Sequence, residues 1–157
     1  LQIIFNIFRQ KPTTELFAEA KAKNVALIVR LPLASGLLSG KFKPISTFPE
    51  NDHRNYNQNG DQFNVGETFA GLPFAKGVEL SDRLKSLTPE GMTLAQMSLR
   101  WVLDFEAVTV VIPGATTPEQ AKLNCSASDL PPLSEKLHEQ LREFYENSAK
   151  SLIRGKY

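Results

Sequence analysis

Cysteine is almost absent. Cys125 is the chain's one thiol, which excludes an internal disulfide and a Cys-rich zinc module. No charge sign dominates either: eighteen Lys plus Arg face seventeen Asp plus Glu, a net charge of +1. That balance points neither to nucleic acid nor to an anionic membrane as partner. No apolar run approaches the ~20 residues of a membrane helix, so a soluble, cytoplasmic chain is expected. The opening apolar stretch lacks the basic start and small-residue cleavage site of a signal peptide. Nucleotide fingerprints are missing as well. There is no G-x-G-x-x-G, and Gly36 and Gly40 are separated by three residues where a Walker A loop has four, with Phe42 in place of the magnesium-binding Ser or Thr. Histidine is scarce, and no His, Cys, Asp and Glu stand at metal-ligand spacing.

What is present is ordinary globular material: 157 residues, 41% hydrophobic and 22% charged. A chain of this size folds as one domain and buries roughly 68–70% of its unfolded surface. It opens on Leu1, already inside the apolar run Leu1–Phe8, and the expectation is a fragment of a longer protein.

Residues 2–8 are β-branched and aromatic and predict a buried strand. Pro12-Thr13-Thr14 breaks it. Leu16, Phe17 and Ala20 then form an apolar face at helical spacing, and Asn24 stands where Asn or Gly closes a helix. Residues 25–29 are a second apolar run, of the kind covered on both faces in parallel sheets. Residues 34–73 are rich in Gly, Asn, Asp and Pro, too long for an ordinary connection. Their Phe42, Phe48, Tyr56, Phe63 and Phe69 predict packing rather than disorder. Helical pattern resumes over 74–87. Thr93 and Gln96 have the spacing of a capping box, opening a helix with the apolar stripe Leu94, Met97, Trp101, Val102 and Phe105. Residues 108–112 predict a third strand. Thr117 as N-cap, Pro118 at the first helical position and Gln120 closing the box open another helix. Ser134 caps a last amphipathic helix through Leu137, Leu141, Phe144 and Tyr145.

Strands alternating with helices predict an α/β fold with parallel strands and right-handed crossovers. A closed (β/α)8 or TIM barrel takes eight strands and about 250 residues, so the chain corresponds to a partial barrel of about three β/α units. It is read as one domain over 1–157, with a long loop insert at 34–73 and a C-terminal helix at 133–150.

Ligands of such folds lie over the C-terminal ends of the strands. After the second strand comes Arg30-Leu31-Pro32-Leu33-Ala34-Ser35-Gly36-Leu37-Leu38-Ser39-Gly40-Lys41. Glycine lets backbone approach a ligand, and N–H groups beside a lysine suit an anion; the same residues also read as a glycine-rich turn with a surface lysine. After the third strand, Pro113–Gln120 runs straight into a helix. Its orphan N–H groups and the positive end of the helix dipole suit phosphate, with the Thr116 and Thr117 hydroxyls as further donors. Gln120 and Asn124 share a helical face, which suits an adenine edge or a plain solvated surface.

Several segments, in order and spacing, resemble the aldo/keto reductases, NADP(H)-dependent oxidoreductases built on a (β/α)8 barrel. They are QIIFN at 2–6, RLPLASGLLSGKF at 30–42, DHR at 52–54, GETFAG at 66–71, GMTLAQMSLRWVLDFEAVTVVIPGATTPEQAKLN at 91–124, and the closing helix. The resemblance implies the C-terminal part of the barrel, strands six to eight. It places Gln2 on the nicotinamide carboxamide, and Arg30 where many members stack a Tyr on the nicotinamide ring. Leu33, Gly36, Leu37, Gly40 and Lys41 would line the pyrophosphate. Gly114 stands where other branches carry a Lys on the 2′-phosphate, which weakens any choice of NADPH over NADH. Thr116 and Thr117 would take over that contact, with Gln120 and Asn124 at the adenine end.

The family's catalytic Asp, Tyr, Lys and His belong to segments preceding these strands. Tyr56, Tyr145 and Tyr157 match none of them; His53 and His138 read as surface residues and Cys125 as an inert small one. The implied activity is reduction of a small-molecule aldehyde or ketone in the full-length protein, with this fragment inactive by itself and the aromatics of 43–73 as a pocket wall. The alternative is a non-catalytic, nucleotide-binding accessory or assembly module, as in potassium channels. Unpaired strand edges predict self-association or pairing with the missing half.

Overall fold

The computed structural model describes residues 1–155; Tyr157 lies outside the described residues. Three parallel strands, β1 (Gln2–Ile4), β2 (Leu27–Arg30) and β3 (Val108–Ile112), form one sheet in the order β1-β2-β3. Ile4 stands opposite Arg30, and Arg30 opposite Ile112. Helices α1 (Leu16–Ala22), α2 (His53–Tyr56), α3 (Phe74–Lys85), α4 (Leu94–Leu103), α5 (Pro118–Cys125) and α6 (Glu135–Phe144) complete an α/β arrangement. No helix among the described residues is long and apolar enough to cross a membrane.

The strand predicted over 2–8 stops at Ile4. Asn6 causes this: its carbonyl accepts the Arg9 N–H at 2.8 Å, its Oδ1 accepts the Phe8 N–H at 3.0 Å, and its Nδ2 donates to Leu31 O at 2.9 Å. Phe5, Ile7 and Phe8 are fully buried all the same, so their apolarity reports depth rather than strand. The second strand starts late for a similar local reason. Asn24, at φ 52°, closes α1; its N–H donates to Lys21 O and that of Val25 to Ala20 O, the pair of bonds that ends a helix in a left-handed residue. Val25 is thereby part of the helix cap. The Thr93–Gln96 capping box forms as predicted, with reciprocal bonds of 3.0 and 3.1 Å.

Side chains alternate across the sheet. Leu27 and Val29 face inward and are fully buried. Beside them Phe5, Phe17 of α1, Trp101 of α4 and Phe105 meet with ring centroids 4.8–5.6 Å apart. The opposite face carries Gln2, Ile4, Ile28, Arg30, Val110 and Ile112, none of them buried, with Ile112 44% exposed. Burial on both faces, expected for such apolar runs, is therefore not met. In a closed barrel that face is filled by side chains from the other strands, and three strands cannot close on themselves.

The 34–73 insert packs through its aromatics. Phe42, Phe48 and Phe69 gather on Phe74 at 4.9–5.9 Å, and the Arg54 guanidinium lies 4.5 Å from the Phe48 ring centre. Tyr56 and Phe63 stay exposed, 6.3 Å apart. Arg154 clasps the insert from the C-terminal side, donating to the carbonyls of Gln58, Gly71 and Leu72 and to Asn59 Oδ1. His138, expected on the surface, is half-buried. Its Nε2 lies 2.9 Å from Asp104 Oδ2, and Asp104 also accepts from Arg100 Nε and the Leu133 N–H, which ties α6 to the end of α4.

Asp52 caps α2 by accepting the Arg54 N–H, and it also pairs with the Arg54 side chain at 2.6 and 3.0 Å. The hydrogen bond from Arg54 pulls its carboxyl from 3.8 down to about 2. A folded pKa below the unfolded one gives stability that is full above pH 4 and is lost as pH falls toward 2. Urea titrations between pH 5 and 2 are expected to show a loss of about 1–2 kcal/mol that Asp52→Asn abolishes.

Candidate functional site

β2 and β3 are parallel neighbours, so the segments that follow them leave the same end of the sheet. The first begins at Arg30, whose side chain lies on the open face. Its Nη2 donates to Glu67 Oε1 at 2.6 Å and its Nη1 to Glu67 Oε2, a two-pronged pair between groups each 30% exposed. The hydrogen bond from Arg30 lowers the Glu67 carboxyl below its ordinary range, and the same bond raises the guanidinium. Both stay charged at any working pH.

From there the backbone turns tightly. Leu31, Ala34 and Ser35 have φ of 52°, 49° and 55°, left-handed values uncommon outside glycine. Ser35 is pinned there because its Oγ accepts the Phe69 N–H at 3.1 Å. Gly36 follows at φ 96°, and a Cβ on it would sit 3.0 Å from the Phe42 ring. The residues expected along a pyrophosphate separate here. Leu37 is buried in the core, 1% exposed, and Leu33 is half-buried. The Gly36 and Gly40 N–H groups donate to Leu33 O and Leu37 O, and that of Lys41 to Ser39 Oγ, so all three are already bonded within the segment. What the segment presents outward is the Lys41 side chain, exposed and without an ion pair among the described residues.

The second segment is organised by its own side chains. Thr117 Oγ1 accepts the Gln120 N–H at 3.2 Å, as a cap should. The Gln120 side chain, however, accepts from the Thr116 N–H and hydroxyl, closing the box one residue earlier than the spacing suggested. Asn124 Nδ2 donates to Gly114 O at 3.2 Å. The two amides thus fold back on the loop and stiffen it. Gly114 is exposed, and a Cβ there would meet nothing within 4 Å. Gln2 is exposed on the same sheet face as Arg30, paired in register with Ile28.

A cleft of about 630 Å³ opens beside β1, walled by Ile3, Ile4, Arg9, Arg30, Asn64 and Glu67 together with the start of α1. From the 34–73 segment Asn64 and Glu67 line this cleft, while Phe42, Phe48 and Phe69 are committed to the core around Phe74. Sequence reasoning missed Glu67 as a site residue. It sits inside GETFAG, 37 residues from Arg30, and no local spacing links the two.

Residues 1–146 match the Aldo/keto reductase family. The chain belongs to that family. Its curated relatives include the aldo-keto reductase yakc [NADP(+)] of Schizosaccharomyces pombe, 25% identical over 145 residues, which are 92% of this chain and 40% of the relative. A probable voltage-gated potassium channel subunit beta of Arabidopsis thaliana is 30% identical over 133 residues, 82% of this chain and 38% of the relative. Among solved structures, the glycerol dehydrogenase AKR11B4 from Gluconobacter oxydans superposes with a TM-score of 0.75 at 21% identity, over 99% of this chain and 45% of that one. That likeness speaks for the fold. The chain spans less than half the length of these proteins.

Proposed function

We propose that the chain is the cofactor-binding C-terminal part, barrel strands six to eight, of an NADP(H)-dependent reductase of aldehydes or ketones. The observation that carries this reading is the shared exit of two loops, 31–41 and 113–124, from one end of a parallel sheet. The donor set suits a dinucleotide phosphate. Lys41 offers a cation without an ion pair among the described residues, the loop before α5 is stiffened by Gln120 and Asn124 at the positive end of a helix, and the space over Gly114 is open.

In this reading the Lys41 side chain holds the pyrophosphate, beside the 33–40 segment whose Gly36, Leu38 and Gly40 N–H groups are bonded within its own turns. Thr117 takes the 2′-phosphate with its hydroxyl, beside Thr116, whose own N–H and hydroxyl are held by Gln120, and Gln120 and Asn124 border the adenine. Gln2 and Arg30 face the nicotinamide. The cofactor supplies a hydride; the proton comes from a Tyr upstream of this chain, set by upstream Asp, Lys and His. The name of the yeast relative supports the choice of NADP(H). A second reading, a nucleotide-binding accessory module without turnover, draws on the likeness to the plant channel subunit.

The test is titration of the purified chain with NADPH, followed by nucleotide fluorescence. Binding without carbonyl-dependent NADPH consumption is expected. Because Gly114 is roomy and its backbone is not left-handed, Gly114→Lys is expected to leave folding unchanged and to tighten NADPH about tenfold over NADH, through one added phosphate contact. Absence of any nucleotide binding overturns the reading. The open edges of β1 and β3 further imply a partner, a second copy or the rest of the barrel, and a monodisperse monomer by light scattering contradicts that.

A further inference from the structure

We propose that Glu67 is a positioning residue: it holds the Arg30 guanidinium flat against the cleft beside β1 and cancels its charge, so that the site accepts a flat ring whether neutral or cationic. This rests on the dinucleotide reading above.

A single arginine on a surface strand end is mobile; one held by both prongs to a carboxylate is fixed in plane. Arg30 is of the second kind, and its partner is fixed in turn. Glu67 sits in a short helical turn, Val65–Glu67, capped by Asn64 Oδ1 accepting the Gly66 N–H at 2.7 Å. The turn is followed at once by Thr68 and Phe69, both fully buried. Thr68 is bonded to buried Asn57 at 3.0 Å, and Phe69 is packed on Phe74. The carboxylate is therefore delivered by a rigid part of the insert. Both groups line the cleft, and both keep 30% of their side chains exposed, so part of the pair stays open to a ligand.

A planar guanidinium stacks on aromatic rings much as a tyrosine does, but it carries a full positive charge. Against the neutral reduced nicotinamide that charge is harmless. Against the cationic oxidised ring, an uncompensated guanidinium at stacking distance repels. Glu67, which also feels the Arg9 guanidinium lining the same cleft, offsets that repulsion while leaving the flat surface, and its lowered pKa keeps it ionised through the working range.

The experiment compares dissociation constants of NADPH, NADP+ and adenosine 2′,5′-bisphosphate for the wild-type chain and for Glu67→Gln, by calorimetry. Glu67→Gln retains one acceptor oxygen but no charge. It is expected to weaken NADP+ about tenfold relative to NADPH and to leave the bisphosphate, which has no nicotinamide, unchanged. A merely structural role moves all three ligands together, and that result overturns the inference. A second variant separates charge from folding: Arg30→Tyr removes the guanidinium, keeps a flat ring and leaves the Glu67 carboxylate uncompensated, so it is expected to favour NADP+ over NADPH at least as much as the wild type does. A tenfold loss of NADP+ relative to NADPH in Arg30→Tyr overturns the inference. A wild-type chain that binds the bisphosphate but gains nothing from either nicotinamide overturns it while sparing the adenine side of the dinucleotide reading. A chain that binds none of the three overturns both.

Discussion

Replacing Trp101 by alanine is expected to lower the unfolding free energy by about 3–5 kcal/mol, read from urea denaturation followed by circular dichroism, since the chain has one tryptophan. Trp101 is 1% exposed and touches Phe5 at 4.8 Å, Phe105 at 4.8 Å and His138 at 6.4 Å between ring centres. It therefore joins the turn after β1, the end of α4 and α6 in one contact. Small domains hold about 5–15 kcal/mol in all, so this single truncation brings the chain near its unfolding threshold. Trp101→Phe separates packing from polarity. The indole Nε1 is buried with no acceptor among the described residues, so phenylalanine keeps most of the ring and removes an unpaired donor. Its expected cost is less than about 1.5 kcal/mol. A Trp101→Ala variant as stable as Trp101→Phe sinks the view that this ring cluster holds the helices on the sheet.

Gly77→Val is expected to act on stability and nucleotide binding together. Gly77 lies inside α3, and a Cβ built there falls 2.5, 3.0 and 3.3 Å from three atoms of the Leu37 side chain. Leu37 is itself 1% exposed, so its side chain has little room to give. The helix must move away from the 33–41 segment, or the segment must move. Overpacking of this sort costs about 1–3 kcal/mol. Because the segment carries Lys41, NADPH affinity is expected to fall about tenfold, while that of adenosine 2′,5′-bisphosphate, proposed to lie on the separate 113–124 loop, stays unchanged. Calorimetric titration of both ligands measures this, and equal affinities in variant and wild type refute the proposed contact of 33–41 with the pyrophosphate.

Local features were legible because their physics spans a few residues. The Thr93–Gln96 box, the Ser134 cap and the left-handed Asn24 depend on groups three to five positions apart, which helix geometry brings together whatever surrounds them. β3 was read to its end residues because Val108–Ile112 is bounded by Ala107 and Pro113. Where a local rule had two solutions, the structure chose between them. Gln120 had both Thr116 and Thr117 within reach and took Thr116. The apolar run 2–8 predicted one strand, and Asn6, bonded across to Leu31, ended it at Ile4.

The amino-acid order alone determined that strands and helices alternate and that the strands run parallel, because periodicity and capping are properties of neighbouring residues, and the segments at 2–6, 30–42 and 91–124 carried the resemblance to the aldo/keto reductases. Tertiary structure alone decided that Glu67 meets Arg30, that His138 meets Asp104, and that one sheet face stays open. Each of these depends on segments tens of residues apart being brought together by burial, as the insert is through its Phe42, Phe48 and Phe69 rings. Burial is a non-directional force that selects depth and leaves the choice of partner to the packed whole.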